Sequence, residues 1–430
     1  MHREVLLGVV IVLAVPIAFF RPFVGLLIYL WFSFARPGDY VWRAYRFDYL
    51  IFVAGACLLG YVLFEMNRSP IRLKGMTPLL LLWGWLGLAS VLALDVSLSY
   101  PKLSEYSRGF IMAFVTASMA NSEKRVRQIL CVLAISLGML GTKGAVDALL
   151  TGFSSTVVGP GGMVREQNEF ALALNMGIVI LVWLAYAESR DWVRWAFRAM
   201  AVASAISVVG TRSRSGLLGL LMAGLIFTLY SKRKVLASIV VVVGVAALLV
   251  IGPKAALERY STIPTATESD ASAISRLKAW KVAIQMTRDH PVFGVGLRNF
   301  IVSYPQYSNE EPRVTHNVVF EMISETGIPG GLLFVSMILI MVTRMFLLGR
   351  RAQRSPETKH LGIYCQTITA TLIVYLVPNM FINRQDFDLM YQLLAVGAGL
   401  AAVTQRQLTA QRAEVKVLSQ VTTPVWLCAL

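Results

Sequence analysis

Runs of about 20 apolar residues recur along nearly the whole chain, and this feature limits the possible folds more than any other. An α-helix needs roughly 20 such residues to cross the hydrocarbon core of a bilayer. Of the 430 residues, 56% are hydrophobic and only 15% are charged, whereas soluble domains carry about a quarter charged residues. A transmembrane β-barrel would instead need alternating segments of about 10 residues. The sequence therefore predicts an all-α, polytopic membrane protein.

The apolar runs predict about twelve transmembrane helices. The first run, 4–35, is interrupted by Arg21-Pro22, which favours a kink or two half-spans, and we count it as one crossing. The other runs are 48–65, 77–94, 103–120, 126–142, 168–187, 195–210, 215–230, 235–252, 317–348, 360–380 and 387–404. The chain is thus predicted to contain nine spans within 1–252, a polar loop domain at 253–316, three spans within 317–404 and a cytoplasmic tail at 405–430.

Lysine and arginine cluster in every second loop between these spans, and such clusters mark the cytoplasmic side of a membrane protein. The clusters lie within 68–74, 124–127, 190–194, 232–234 and 350–359. The loops between them, including 143–167 and 253–316, are therefore predicted to face away from the cytoplasm. This distribution accounts for most of the formal net charge of +16, so the charge does not indicate a nucleic-acid partner.

Several kinds of site are not expected. The four cysteines, Cys57, Cys131, Cys365 and Cys428, are scattered and include no CxxC pair, which predicts neither a disulfide nor a zinc site. We expect no metal-dependent sugar-nucleotide transferase, no metal ion and no other cofactor. The centres of the predicted spans hold almost no ionisable residues, and no internal repeat is evident, which argues against a transporter.

The segment from Arg276 to Glu325 is the most informative polar stretch. Residues 272–288 are predicted to form a helix, because Leu277, Trp280 and Ile284 fall on one face, and Pro291 ends it. The Gly-X-Gly at 294–296 lacks the strand–turn–helix context of a nucleotide site, so we predict a turn there.

Three arginines are candidates for binding an anion. Arg212 and Arg214 lie in a short outward turn, TRSRSG, where they either extend towards lipid headgroups or form an anion site at a helix N-terminus. We favour the anion site. Arg276 either belongs to a solvated face or binds a phosphate, which the planar guanidinium suits well. Arg313 is a further candidate for substrate binding.

His316 precedes the predicted span 317–348, where an imidazole can exchange a proton near neutral pH. A purely structural histidine is the alternative. Asn317, Glu321 and Ser324 fall on one face of the following helix and are predicted to line a cavity or support His316. Asp386 and Asp388 lie beside Arg384, where they either hold the turn through an ion pair or shape the site.

Four stretches of the sequence resemble the O-antigen ligase family, which also includes O-antigen polymerases and protein O-oligosaccharyltransferases. They are SRSG at 213–216, SRLKAW at 275–280, HPVFGVGLRNF at 290–300 and THNVVFEMISETGIPGGLLF at 315–334. The resemblance covers residues 165–349 and the predicted topology. The N-terminal stretch RPFVGLLIYLWFSFARPGDYVW is similar to members described as O-glycosylation ligases.

This resemblance implies a metal-independent, inverting glycosyltransferase of the membrane-embedded GT-C type, in a bacterial inner membrane with its site facing the periplasm. The implied donor is a glycan on undecaprenyl diphosphate, and the implied acceptor is a hydroxyl of lipid A–core. The family's essential arginines correspond to Arg214 and Arg276, with Arg212 a third candidate, and its essential histidine corresponds to His316. A late acidic residue of the family corresponds to Asp386 or Asp388. A polymerase, a protein O-oligosaccharyltransferase and a transporter of lipid-linked sugars are the alternatives.

Overall fold

The computed structural model describes residues 2–40, 49–251 and 271–421, and within these ranges the chain forms helices and no strands. The α-helices are α1 (His2–Phe20), α2 (Pro22–Ala35), α3 (Tyr49–Gly60, continued by a π-helical turn Tyr61–Glu65), α4 (Leu73–Val91), α5 (Val96–Met119), α6 (Glu123–Leu150), α7 (Gln167–Ala187), α8 (Asp191–Gly210), α9 (Arg214–Tyr230), α10 (Lys234–Ile251), α11 (Ala271–Asp289), α12 (Val318–Ala352), α13 (Lys359–Asn379) and α14 (Asp388–Val421). A shorter helix, Phe300–Ser303, and three 3-10 turns, Pro37–Tyr40, Gly162–Val164 and Tyr304–Gln306, complete the set. The all-α prediction is confirmed.

Five of these helices, α6, α7, α8, α12 and α13, are long and apolar enough to cross a membrane. Shorter apolar helices lie at Leu7–Phe20, Pro22–Ala35, Tyr49–Glu65, Arg214–Tyr230 and Lys234–Ala246. Helices with an apolar surface of this extent are typical of a membrane protein. The count of about twelve crossings stays a prediction.

The segment predicted as one crossing, 4–35, consists of two helices that meet at Arg21. They fold back on each other, since a Cβ on Gly25 of α2 would lie 2.6 Å from Ala18 Cα of α1. At the start of α2, the Pro22 carbonyl accepts a hydrogen bond from Cys57 Sγ near the end of α3. The end of α2 leads to Arg36, whose guanidinium lies against Gly162 in the predicted outward loop. The segment therefore forms two packed helices, and the number of crossings that it makes stays a prediction.

The centre of the bundle is α7, which is buried on nearly all sides by α6, α8, α9 and α13. A helix that is apolar all round, as α7 is, is typical of a buried position. Small residues let its neighbours approach closely: a Cβ on Gly141 of α6 would lie 2.1 Å from the Ser204 hydroxyl of α8, and one on Gly144 would lie 2.2 Å from the Ser207 hydroxyl. Glycine at such crossings lets helix backbones pack tightly.

The described part of the predicted loop domain begins with α11, which confirms the predicted helix at 272–288. It has its own apolar core, made of Ala279, Val282, Ala283, Met286, Val295, Phe300 and Tyr304. Trp280 joins this core to α12, because its indole N–H donates to the Thr315 carbonyl at 2.8 Å and its ring lies 5.2 Å from the Phe320 ring. The first part of the predicted loop, 252–270, lies outside the described residues.

The turn predicted at Gly294 and Gly296 is also present, and its function is structural. Both glycines have positive φ, 69° and 105°, a conformation that favours glycine. The turn docks on the connection between α4 and α5, where the Leu94 N–H donates to the Val295 carbonyl at 3.0 Å. The Asn299 side chain accepts a hydrogen bond from the Asp95 N–H at 2.8 Å. These bonds fix the loop domain against the helical bundle.

Candidate active site

His316 occupies a strained position at the start of α12. Its φ is 47°, in the left-handed region that non-glycine residues seldom adopt. The neighbouring residues hold this conformation: Asn317 caps α12 by accepting from the Val319 and Phe320 N–H groups, and the Thr315 hydroxyl donates to the Glu321 carboxylate at 2.6 Å. Asn317 and Glu321 thus fix the chain on either side of His316, whereas a contact of their side chains with the imidazole stays a prediction.

Arg276 lies close enough to His316 for its charge to act on the imidazole. The two are brought together by α11, because Trp280, one turn after Arg276, is bonded to the residue before His316. Burial and the Arg276 guanidinium together lower the pKa of His316 from 6.5 to about 4. Both effects disfavour the charged form, so the imidazole is neutral at physiological pH.

Arg214 is the first residue of α9, at a helix N-terminus in which Ser213 is the capping residue. The Ser213 hydroxyl accepts from the Gly216 N–H at 3.0 Å and donates to Asn168 Oδ1 at 2.7 Å, which ties this turn to the start of α7. Arg212, by contrast, binds protein: its guanidinium donates to the Phe153 and Ser154 carbonyls after α6. The structure thus places Arg214 at the capped N-terminus of α9, whereas Arg212 holds the loop after α6.

Hydrogen bonds and ion pairs connect this turn to His316. Glu169, next to Asn168, forms an ion pair with Arg384 at 3.0 Å. Arg384 lies in the turn between α13 and α14, and Asn317 Nδ2 donates to the Met380 carbonyl just before that turn. The starts of α7, α9 and α12 therefore meet at the same end of the bundle. The direct meeting of Arg214 with His316 stays a prediction.

The carboxylates singled out in the sequence lie in the same turn. Asp386 forms a buried ion pair with Lys102 of α5 at 2.6 Å and a longer one with Arg384 at 3.7 Å. Asp388 begins α14, and its carboxylate packs against Gly109 of α5 so closely that a Cβ there would lie 2.4 Å from it. Arg313 is exposed and pairs weakly with Glu311 at 3.8 Å. The ion-pair interpretation holds for Asp386.

The expectation of no metal-dependent transferase depended on the absence of an Asp-X-Asp motif from the outward loops, yet Asp386 and Asp388 have this spacing where the predicted loop 381–386 meets the next span. The Asp386 carboxylate already forms an ion pair with Lys102. An ammonium group competes with a metal cation for the same carboxylate oxygen. Within residues 2–40, 49–251 and 271–421, no group of three or more histidine, cysteine, aspartate or glutamate side chains could hold a metal ion. The spacing by itself therefore does not define a metal centre.

A cavity of about 780 Å³ opens beside these residues. One wall is apolar and comes from α2 and α3, including Tyr29, Leu50 and Leu58. The other wall carries charges of both signs from five parts of the chain: Arg36, Lys102, Glu105, Arg108, Arg298, Glu321, Glu325, Arg384, Asp386 and Asp388. An apolar wall facing a polar one suits an amphipathic molecule with many hydrogen-bonding groups.

Most of this cavity was missed by sequence analysis. The prediction that Glu321 lines a cavity is confirmed, but Lys102, Arg108 and Arg298 were not considered. For the first two a signal existed: Lys102, Glu105 and Arg108 recur at i, i+3 and i+6 within an otherwise apolar run, and charge at the edge of a membrane helix is a functional hint. The sequence gives no such indication for Arg298, because its position at the cavity depends on its left-handed backbone conformation, φ 62°.

The fold and the site together define a class: an all-helical protein with membrane-type helices and, at one end, a cavity whose polar wall carries charges of both signs. Residues 199–335 match the family described as O-Antigen ligase. This match supports membership of the chain in the O-antigen ligase family. Residues 1–187 match a family of unknown function, DUF5935. No curated protein matches the chain.

Proposed function

We propose that the protein is an O-antigen ligase that transfers a glycan from undecaprenyl diphosphate to a hydroxyl of lipid A–core. The transfer is metal-independent, inverts the anomeric carbon and takes place on the periplasmic side of a bacterial inner membrane. The family match over 199–335 supports a ligase or polymerase of this general type. The observation that carries the proposal is the neutral imidazole of His316 held beside the guanidinium of Arg276.

The arginines bind the leaving group. In this transfer the diphosphate departs, so negative charge grows on it in the transition state. Preorganised positive charge at that point is usually the largest catalytic contribution. Arg276 and Arg214 bind the diphosphate, and the positive end of the α9 dipole adds to this site. Arg212 contributes by fixing the turn that carries Arg214, and the exposed Arg313 is a candidate for contacting the glycan.

His316 takes the proton from the attacking hydroxyl, a contribution of about 10²–10⁴-fold for a positioned general base. With a pKa of about 4 the free imidazole is neutral but weakly basic. A bound diphosphate would offset the charge of Arg276 and so raise the pKa of His316. Donor binding therefore strengthens the base at the moment when it is needed.

The cavity receives the sugars. It reaches Val314 and Glu321, two and five residues from His316 along the chain, which brings a bound hydroxyl near the start of α12. Its carboxylates and guanidinium groups are the usual partners of sugar hydroxyls, and Asp386, held by Lys102, is one of them. Its apolar wall accommodates the lipid part of a substrate.

Reconstituted protein provides the test. Lipid-linked glycan is supplied with lipid A–core, with a second lipid-linked glycan or with a protein acceptor, and the product is identified by mass spectrometry. We expect product with lipid A–core and its loss in His316→Asn, because asparagine tolerates the left-handed backbone and removes the base. His360→Gln, at an ion pair with Glu123 away from the site, is the matched control. Product only with one of the other acceptors identifies a polymerase or a protein O-oligosaccharyltransferase instead.

A further inference from the structure

A second, smaller cavity of about 260 Å³ lies at the end of the bundle opposite His316. It is formed by the start of α4, the second half of α12 and Leu394 in the first third of α14. The other end of α4 leads to Leu94, which is bonded to the loop domain, so the two cavities are separated by the length of α4. The lining combines two cations, Lys74 and Arg344, with apolar side chains such as Ile340 and Leu394.

Two more guanidinium groups, those of Arg72 and Arg406, lie near the start of α4 but do not line the cavity. Arg72 is the residue before α4, and burial together with the nearby charge of Arg406 lowers its pKa. Its Nε is buried and has no hydrogen-bond partner within the described part of the chain. Within the described ranges, no carboxylate forms an ion pair with Arg72, Lys74, Arg344 or Arg406. Two cations thus line this small cavity and two more lie nearby, without a carboxylate partner among the described residues.

The surroundings indicate which anion fits. The first N–H groups of α4 are not capped by the Arg72 side chain, and a helix N-terminus favours a phosphate group. Apolar side chains lead away from the cavity along the outer surface, with Leu81 of α4 56% exposed and Ile340 of α12 53% exposed. A ligand that places a phosphate among the cations and an acyl chain along this surface is an anionic phospholipid.

We propose that this cavity binds the headgroup of an anionic phospholipid between α4, α12 and α14. The bound lipid neutralises Arg72, Lys74, Arg344 and Arg406 and packs its chains against Leu81 and Ile340. This site is separate from the proposed glycan transfer, and its test does not depend on that activity.

The experiment measures lipid binding to the full-length protein. Protein in neutral detergent is titrated with phosphatidylglycerol or with phosphatidylcholine, and bound lipid is counted by native mass spectrometry. We expect a saturable site for phosphatidylglycerol and none for phosphatidylcholine. In Arg72→Gln/Arg344→Gln the affinity falls about 25-fold, since each cation near a membrane surface contributes about 1 kcal/mol, roughly fivefold.

Two controls keep the proposal open to refutation. Lys232→Gln/Arg233→Gln removes two exposed cations between α9 and α10. An equal loss of lipid affinity in this variant would mean that general surface charge, and not a defined site, binds the lipid. If Arg72→Gln/Arg344→Gln does not fold, Lys74→Gln/Arg406→Gln replaces two exposed residues instead, and an unchanged affinity in it overturns the site. Equal binding of free glycerol phosphate would show a soluble phosphate site and not a lipid site.

Discussion

Replacing Arg276 with glutamine tests the electrostatic centre of the site. Burial is the larger cause of the low pKa of His316, and the charge of the Arg276 guanidinium is the second. Glutamine keeps most of the side-chain volume and removes the charge. The imidazole should then be easier to protonate, because one of two effects that disfavour its charged form is gone.

The size of the change follows from the structure. The difference between the ordinary pKa of 6.5 and about 4 corresponds to about 3 kcal/mol at 1.36 kcal/mol per pKa unit. Since burial is the larger cause, Arg276 accounts for less than half of it, on the order of one pKa unit. We therefore expect the pKa of His316 to rise to about 5 in Arg276→Gln.

Nuclear magnetic resonance of ¹³C-labelled histidine measures this directly. The sequence has four histidines, and His316→Asn assigns the signal of interest. Lys278→Gln is the matched control, because Lys278 lies on the same helix but pairs with Glu310 on the exposed surface; its His316 signal should titrate as in the parent protein.

The pH dependence of glycan transfer should shift in the same direction as the pKa of His316. A general base must be neutral, so transfer by the parent protein should persist down to about pH 4 on account of His316, and the acidic limb should move to higher pH in Arg276→Gln. A His316 pKa near 6.5 in the parent protein would refute the burial argument. An unchanged pKa in Arg276→Gln would show that the guanidinium does not act on the imidazole.

Three further predictions concern the neighbouring residues. Arg276→Lys should lower transfer at least about tenfold, because a point charge cannot replace a planar guanidinium on a diphosphate; steady-state kinetics that match the parent protein would rule out this contact. Lys102→Met leaves Asp386 without its closest partner and should destabilise the protein by about 3–5 kcal/mol, which adding Asp386→Asn should partly restore in thermal unfolding. Gly294→Ala places a Cβ 2.4 Å from the α12 backbone at φ 69° and should cost more than about 2 kcal/mol, whereas Gly244→Ala, which contacts nothing, should be neutral; equal unfolding temperatures for the two glycine variants would contradict the turn geometry.

The sequence alone predicts the helices well, because a helix satisfies its own backbone hydrogen bonds and an apolar run of sufficient length has few other options. It is less successful at their ends. The predicted run 126–142 continues as helix to Leu150, and 387–404 continues to Val421. Hydropathy falls where a chain leaves an apolar environment, but helical hydrogen bonding continues as long as the residues permit it.

The family resemblance selects Arg214, Arg276 and His316, yet it does not say what they contact. That Arg276 lies beside His316 depends on the docking of Trp280 onto Thr315. Likewise, the use of Arg212 to hold the Phe153 carbonyl could not be read from the turn TRSRSG.

What only the tertiary structure decides is which distant charges share one cavity. Lys102 and Asp386 are separated by 284 positions and meet because α5 packs along α14. Local sequence determines helices through interactions within a few residues, and apolar patterning determines which faces are buried. Charges on different helices meet only once side-chain packing fixes the angles and offsets between them, and this information is not contained in any single segment.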